Sequence, residues 1–268
     1  MLKNALGMKF VKPYLRSLNM SALGGSYDDA YHLLTDHVTE NTSVLDLGCD
    51  DCNKFDMLNA RVNLKKDRYI GFDYGTERIQ EGKQKEFELY RVDFSYDSFP
   101  IESETIDLAF CFQTIEHVLN PIFFLKNVFQ SLKPGGYFIV TTPNMSAWFN
   151  IFHLVLGLPP SSGPHVDSEK LKRKLALYSH VWSATQSVET EETRFRHLHV
   201  HTFRGLKMIL RFIGFDVLQS KAFGYYPLPI FLSKFACKID PWHAHHMLFF
   251  CQKPFDAIGA VQDDLTDN

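Results

Sequence analysis

The chain has 268 residues, of which 45% are hydrophobic and 22% are charged, with a formal net charge of −3. This length and apolar content are enough to bury a full core, so we expect one domain over residues 1–268. The small negative charge provides no overall field that would attract a polyanion, which disfavours a long nucleic acid as substrate.

The first half of the chain predicts an α/β protein. Residues 1–40 are expected to form an N-terminal helical segment, in which 27–37 lead into the first strand. From residue 44 to residue 143, strand and helix patterns alternate, which is typical of a doubly wound sheet. Residues 53–68 have weak apolar periodicity and predict a helix of only a turn or two.

Two predicted strands end on carboxylates. Residues 44–50 read VLDLGCD and residues 70–73 read IGFD, and Asp46 and Asp73 are 27 positions apart, as in one strand-helix-strand unit. In an open parallel sheet, ligands bind beyond the strand ends, where an acidic residue can accept ribose hydrogen bonds. No G-x-G-x-x-G motif is present, and Asp50 and Asp51 put negative charge where a pyrophosphate would need amides. The expected ligand is nucleotide-like and cationic or zwitterionic.

These motifs and their order resemble the class I S-adenosylmethionine-dependent methyltransferases, in particular the small-molecule type found in ubiquinone biosynthesis. The resemblance spans residues 27–253, and its later segments are VDF at 92–94, DLAFCFQTIEHV at 107–118, LKPGGYFIVTTPN at 132–144 and the stretch 197–215, which ends in Gly-Phe. It implies a Rossmann-like, doubly wound, seven-stranded sheet that is mostly parallel with an antiparallel last strand. A helical cap insert is expected at 145–196, and 255–268 are expected to be disordered.

The resemblance also implies the cofactor, S-adenosyl-L-methionine, and the residues that contact it. Asp73 would bind the ribose, Asp93 the adenine amino group and Asp50 the ammonium of the methionine part, while Phe94 would pack on the adenine. The implied cofactor-binding residues are Asp46, Gly48, Cys49, Asp50, Asp73, Tyr74, Asp93, Phe94 and Gln113. Asp50 and Cys52 replace the second and third glycines of the family motif, so the backbone there cannot approach a ligand as glycine would. We expect a re-routed loop.

Two histidines are candidates for catalysis. Methyl transfer from a sulfonium depends mostly on near-attack positioning, and a base is needed only for an acceptor that keeps its proton. His117, predicted one turn into the helix after the fourth strand, is either that base or a packing residue. His197 resembles a family position near the substrate. His197, His199 and His201 alternate and would share one face of a strand, but no carboxylate lies close in sequence, so no metal is predicted.

The acceptor is expected to be apolar. Residues 148–158 are almost continuously hydrophobic, which predicts either packing under the cap or an interfacial helix with peripheral membrane contact. With Phe223, Tyr225, Tyr226 and Phe231 downstream, an aromatic pocket is expected, which favours a prenyl, polyketide, glycolipid or sugar-linked acceptor. No run reaches the roughly eighteen apolar residues of a membrane span. Five cysteines without a signal peptide favour a reducing cytoplasm.

The predicted function is therefore methyl transfer from S-adenosylmethionine to a small-molecule, lipid-linked or sugar-linked acceptor, with O-methylation favoured. A tRNA or protein methyltransferase is the alternative enzyme, although residues 112–115 read FQTI where amino-group methylation needs an Asn/Asp-Pro-Pro-Tyr/Phe motif. A non-catalytic cofactor-binding protein is the alternative outside enzymes. A nicotinamide dehydrogenase is disfavoured by the missing phosphate glycines. The oligomeric state stays open.

Overall fold

The structure is a computed structural model that describes residues 2–163 and 197–256. Most of the predicted cap insert and nearly all of the predicted disordered tail lie outside the described residues. The described helices are α1 (Leu2–His37), α2 (Asn53–Val62), α3 (Thr76–Gln84), α4 (Pro121–Ser131), α5 (Trp148–Val155), α6 (Phe203–Ile213) and α7 (Ile230–Ile239). The strands are β1 (Val44–Leu47), β2 (Tyr69–Asp73), β3 (Glu88–Arg91), β4 (Ile106–Phe112), β5 (Leu132–Pro143), β6 (Asp216–Phe223) and β7 (His246–Gln252).

Seven strands form one sheet in the order β3-β2-β1-β4-β5-β7-β6. The first five run parallel, whereas β7 is antiparallel to both of its neighbours, β5 and β6. The predicted Rossmann-like, mostly parallel sheet is confirmed. The strand order reverses at β1, which lies between β2 and β4. In such sheets this switch point opens a crevice at the carboxyl ends of the strands.

The sheet is buried on both faces, because its central strands are apolar at successive positions. Along β5, Phe138 and Val140 pack in the layer that contains α4 and α6, while Ile139 faces the layer that contains α1 and α2. Parallel strands covered on both faces read as continuous hydrophobic runs for this reason. The core therefore lies in two layers, one on each side of the sheet.

The helix α2 is longer than its sequence pattern predicts. It has ten residues instead of a turn or two, and it buries Phe55 and Leu58. The Phe55 ring lies 5.3 Å from the Tyr69 ring and 4.9 Å from the Phe87 ring, measured between centroids. Tertiary packing thus supplies the stabilisation that the weak periodicity of this segment did not indicate.

The positions of the candidate histidines differ from the prediction. His117 lies on the 3-10 turn Ile115–His117 that precedes α4, not inside a helix. Residues 197–202 run without strand pairing, so His197, His199 and His201 do not line one face of a strand. Residues 113–120 connect the central strand β4 to α4, and the main-chain bonds from His117 to Thr114 and from Val118 to Ile115 close 3-10 turns instead of an α-helix.

The apolar helix α5 presents its hydrophobic residues to solvent. Phe152 and Val155 are exposed, whereas the polar Asn150 and His153 are buried and hydrogen-bonded to the 159–162 turn. Packing of this run under the cap stays a prediction, because most of the predicted cap lies outside the described residues. None of the described helices combines the length and the apolar content that crossing a bilayer requires.

The aromatic residues expected to line one pocket differ in burial. Tyr226 is buried, with its ring 5.9 Å from that of Phe149 and its hydroxyl bonded to Asn19. Phe231, on α7, is exposed. Phe223 and Phe149 pack with Tyr226 in one apolar cluster, whereas Phe231 lies at the surface, so a single aromatic pocket stays a prediction.

A buried amide connects the end of β5 to the segments that flank the later elements. Asn144 is fully buried, and its side-chain nitrogen donates to the main-chain oxygens of Trp242 at 2.8 Å and Ala244 at 2.7 Å. Its side-chain oxygen accepts from the main-chain nitrogen of Phe203 at 3.0 Å. One side chain thus holds the start of α6 and the entry to β7 against the sheet.

We expect Asn144→Ala to lower the free energy of unfolding by about 3 kcal/mol or more, because each buried polar group left without a partner costs about 1–3 kcal/mol. Denaturant unfolding followed by circular dichroism measures this change. The control is Asn120→Ala, which removes only the exposed cap of α4 and should cost about 1 kcal/mol. Equal losses in the two variants would contradict the proposed role of Asn144.

Candidate active site

The carboxyl ends of four neighbouring strands bring most of the predicted cofactor residues into one row. Leu47, the last residue of β1, pairs with Phe72 of β2 and Cys111 of β4, so the loops that follow these strands are adjacent. Asp73 ends β2, and Asp93 lies two residues beyond β3. The row therefore runs from the β3 end across β2 and β1 to the β4 end, along the crevice of the switch point.

The loop after β1 keeps a left-handed backbone although two glycines are replaced. Gly48 has φ of 88°, Asp50 has 51° and Cys52 has 64°. Left-handed backbone costs non-glycine residues about 1–2 kcal/mol, and less for Asp. The loop has thus not avoided the left-handed conformation at the two substituted positions. It carries local strain instead, which is typical of ligand-binding sites.

Contacts with the next strands hold this loop in place. The main-chain nitrogens of Gly48 and Cys49 donate to the oxygen of Phe72 at 2.8 and 3.1 Å. A Cβ at position 48 would lie 2.3 Å from Oγ1 of Thr114, so any residue but glycine there would displace the Thr114 side chain in the loop after β4. The β1 and β4 loops are therefore in direct contact.

The carboxylate of Asp73 is held by two main-chain donors. Its Oδ2 accepts from the nitrogen of Asp50 at 3.0 Å, and its Oδ1 accepts from the nitrogen of Gly75 at 2.8 Å. Each carboxylate oxygen has two lone pairs, so both keep acceptor capacity for a pair of ribose hydroxyls. The residues present thus fit the ribose of the predicted cofactor.

Three further predicted residues border the crevice. Asp93 is half-buried, and its Oδ1 accepts from the nitrogen of Ser95 at 2.9 Å. Tyr74 is exposed, and the Arg91 guanidinium lies 4.8 Å from the centre of its ring. Gln113 has a left-handed φ of 53° and hydrogen-bonds through its main chain to β5. All three lie where the sequence places them, and their contact with the cofactor stays a prediction.

Three other predicted residues have buried side chains. Asp46, Cys49 and Phe94 are at most 8% exposed, and Phe94 packs 5.2 Å from the ring of Phe124. The cysteine can offer the crevice only its backbone. These three side chains pack inside the protein under the loops. Their burial does not favour the predicted side-chain contacts with the cofactor.

A buried ion pair lies under the β1 loop. The Lys54 ammonium donates to both oxygens of Asp46, at 2.8 and 2.9 Å, and to the main-chain oxygen of Gly48 at 2.6 Å. The Tyr69 hydroxyl also donates to Asp46. Burial raises the pKa of the Asp46 carboxyl, although Lys54 opposes this shift. Burial lowers the pKa of Lys54, but the carboxylate outweighs it, so that pKa is raised and the ammonium stays charged.

The candidate catalytic histidines meet at Glu116. The main-chain oxygen of Glu116 accepts from the nitrogens of Leu198 at 2.7 Å and His199 at 3.1 Å, which brings the segment before α6 to the turn after β4. The rings of His117 and His197 are consequently 5.0 Å apart and nearly perpendicular, at 72°. The structure thus places two residues that are 80 positions apart in sequence side by side.

Glu116 itself is fully buried. Its Oε2 accepts from the Thr142 hydroxyl at 2.8 Å, and burial raises the pKa of its carboxyl to about 7. We call the group formed by Glu116, His117 and His197 the polar corner. It lies close to the crevice, because the nitrogen of His117 donates to the oxygen of Thr114 at 3.0 Å, and Thr114 adjoins Gly48.

Sequence reasoning assigned no role to Glu116 or Lys54. The signal for Glu116 was a lone carboxylate beside His117 in an otherwise apolar stretch. Lys54 gave no signal, since it reads as an ordinary surface residue of a short helix. Only the packing of α2 against β1 places its ammonium at Asp46.

Comparison with known proteins adds independent evidence. A family model described as a methyltransferase domain matches residues 21–220. The chain is 29% identical over 111 residues to a protein of Mycolicibacterium smegmatis named a probable S-adenosylmethionine-dependent methyltransferase, covering 40% of each chain. It is 26% identical over 118 residues to the malonyl-[acyl-carrier protein] O-methyltransferase of a Marinomonas species, covering 40% of this chain and 43% of the relative. The matched region thus spans less than half of either relative.

A solved structure supports the fold. The fold is similar to that of a methyltransferase in complex with the Haloferax volcanii Trm112 methyltransferase activator, with a TM-score of 0.53 and 14% sequence identity. The match covers 84% of this chain and 88% of that one.

We expect Asp73→Ala to weaken the binding of S-adenosylmethionine by about tenfold or more, because hydrogen bonds to a charged group contribute about 1.5–3 kcal/mol. Isothermal calorimetry measures the affinity. Glu102→Ala, which removes an exposed carboxylate elsewhere, is the control for charge. Thermal melts separate loss of the ribose contact from collapse of the loop. Unchanged affinity in a folded Asp73→Ala protein would remove Asp73 from the cofactor site.

We expect Lys54→Met to lower the free energy of unfolding by about 3 kcal/mol or more, because it leaves a buried carboxylate without its charge partner. Lys133→Met is a matched control, since it breaks an ion pair with Asp107 whose two side chains are 43% and 35% exposed. That variant should lose less than about 1 kcal/mol. Denaturant unfolding of both variants measures the two losses in the free energy of unfolding. Losses of similar size would contradict a larger stabilisation by the Lys54–Asp46 pair than by the exposed Lys133–Asp107 pair.

Proposed function

We propose that this chain, which belongs to the class I S-adenosylmethionine-dependent methyltransferases, methylates a hydroxyl oxygen. The acceptor is a small-molecule, lipid-linked or sugar-linked compound. The observation that carries this proposal is the polar corner beside the cofactor crevice. The corner sets two imidazoles and a carboxylate at the end of β4, next to the loop that would hold the reactive part of the cofactor.

The cofactor side of the proposal uses residues of three loops. Asp73 would bind the ribose, Asp93 would bind the adenine amino group, and Asp50 would accept from the ammonium group. When bound, S-adenosylmethionine supplies its sulfonium methyl group: the acceptor O–C bond forms as the S–C bond breaks, and the electron pair stays on sulfur. The loops contribute by holding the donor in line with the acceptor, which accounts for most of the rate of such a displacement.

The acceptor side of the proposal uses the polar corner. A hydroxyl keeps its proton at neutral pH and must lose it as the new bond forms, so a proton acceptor or an electrostatic equivalent has to face it. His117 and His197 are half-buried and adjacent, and they offer such a group on the crevice side of the β4 end. An acceptor that needs no deprotonation would not require this arrangement.

An amphiphilic acceptor agrees with the exposed apolar surface. Phe152 and Val155 on α5 are 60% and 78% exposed, and Phe231 and Phe235 on α7 are 72% and 64% exposed. The two helices adjoin through Trp148, whose ring nitrogen donates to Asp240 at 3.1 Å. Surface of this kind suits contact with a lipid-linked substrate or peripheral contact with a membrane. The five free cysteines agree with a reducing cytoplasm.

We expect His117→Ala to reduce turnover by about a hundredfold or more while the affinity for S-adenosylmethionine stays nearly constant. His199→Ala is the control, since this neighbour is exposed and its bond to Glu116 is made by its main-chain nitrogen. Initial rates with labelled S-adenosylmethionine and calorimetry on both variants separate catalysis from cofactor binding. A His117→Ala enzyme with the rate of the unaltered protein would return this residue to a structural role.

The proposal itself is tested by screening acceptors with methyl-labelled S-adenosylmethionine and identifying the methylated atom by mass spectrometry. Prenyl, polyketide and glycosylated compounds with a free hydroxyl form one set, and their deoxy analogues are the matched controls. Labelled tRNA or protein would support the alternative enzyme. Tight cofactor binding with no methyl transfer to any acceptor class would favour a non-catalytic cofactor-binding protein.

A further inference from the structure

The polar corner has the donor set of a metal site. Glu116, His117 and His197 each offer one ligand atom, and these three atoms lie within 4.8 Å of one another. A transition-metal ion bound at about 2.1 Å from each atom would require side-chain shifts of about 1 Å. Two imidazoles and one carboxylate suit a borderline divalent ion such as Mn²⁺, Fe²⁺, Co²⁺ or Zn²⁺ better than the oxygen-seeking Mg²⁺ or Ca²⁺.

The carboxylate gives an independent indication of a ligand. Glu116 is fully buried, and its Oε1 has no hydrogen-bond partner among the described residues, whereas its Oε2 is bonded to Thr142. A buried carboxylate oxygen without a donor is unfavourable and rare in folded proteins. A cation between Glu116 and the two histidines would satisfy it. The Thr142 hydroxyl would then orient the ligating carboxylate through its other oxygen.

The histidine at position 197 is also oriented as a ligand would be. Its Nδ1 lies 2.6 Å from the main-chain oxygen of Ser162, and a carbonyl can only accept, so Nδ1 carries the proton. This leaves the lone pair on Nε2. Metal-bound histidines characteristically donate their other ring nitrogen to a carbonyl or carboxylate, which fixes the tautomer and the direction of the ring.

The backbone keeps the three groups together before any ion binds. The main-chain oxygen of Glu116 accepts from Leu198 and His199, and the nitrogen of His117 donates to Thr114. His197 is therefore tied to the β4 turn by the two residues that follow it. Preorganisation of this kind is what separates a built site from a chance cluster of polar side chains.

We propose that Glu116, His117 and His197 bind one divalent first-row transition-metal ion at the acceptor side of the crevice. Three protein ligands leave coordination positions open for an oxygen of the acceptor. An ion there would lower the pKa of a bound hydroxyl, so that its proton leaves to solvent and the oxygen is ready to receive the methyl group. Ion binding stands on the geometry alone, and this catalytic role rests on the proposed function.

Titration of the chelator-treated 268-residue chain with Co²⁺ tests the proposal directly. Binding is followed by the visible absorption of the ion and by calorimetry, with Mg²⁺ as the comparison ion. We expect one ion per chain, bound much more tightly for Co²⁺ than for Mg²⁺. Each of the variants Glu116→Gln, His117→Ala and His197→Ala should lower the Co²⁺ affinity by at least about tenfold, and His199→Ala should leave it unchanged.

Thermal melts identify any variant that fails to fold. If the Glu116→Gln protein, which is changed at a buried residue, does not fold, the two histidine variants still test the site. Absence of Co²⁺ binding, or affinity that is equal in all folded variants, would overturn the metal site. Mg²⁺ bound as tightly as Co²⁺ would overturn the assigned class of ion.

Methyl-transfer assays with and without the ion separate the two proposals. Transfer that falls after chelation and returns with Co²⁺ or Mn²⁺ supports both. Co²⁺ binding at the corner with no transfer to any acceptor overturns the proposed function and leaves the metal site in place. Full transfer by metal-free protein overturns the catalytic role of the ion and leaves the proposed function in place.

Discussion

The architecture of the candidate site depends on one buried carboxylate at the end of β4. Burial deprives Glu116 of water, so the protein has to supply partners to its side chain. Thr142 of β5 supplies one hydrogen bond, and the main-chain oxygen of Glu116 receives two more from residues 198 and 199. Glu116 thus connects the turn after β4 to β5 and to residues that lie 82 and 83 positions downstream, so the polar corner forms only when these three segments are assembled.

The cofactor side of the crevice follows a similar principle. Asp46 and Lys54 form an ion pair beneath the β1 loop, and the same ammonium binds the main-chain oxygen of Gly48. The loop above it carries left-handed backbone at Asp50 and Cys52, where the family motif has glycine. Strained backbone persists only where surrounding contacts stabilise it. The ion pair, through its bond to Gly48, is such a contact for this loop.

The positions in the fold that the sequence predicted correctly are those with a local signal. Asp73 could be placed at the β2 end because a hydrophobic run stops there, and the crevice could be placed because strand and helix patterns alternate from residue 44 to residue 143. Lys54 could not be predicted, since its partner Asp46 is reached only through the packing of α2. The neighbours of His117 could not be predicted either, because the 3-10 turn breaks the helix that the pattern suggests.

The sequence by itself determined the sheet, its order of elements and the family, because hydrophobic periodicity and short motifs are local properties that survive without knowledge of contacts. The tertiary structure alone decided which polar groups share a site. Glu116, His117 and His197 meet through main-chain hydrogen bonds, and α5 buries Asn150 and His153 while its apolar residues face outward. Such outcomes depend on how each buried polar group finds a partner across long stretches of chain, and no local pattern encodes that choice.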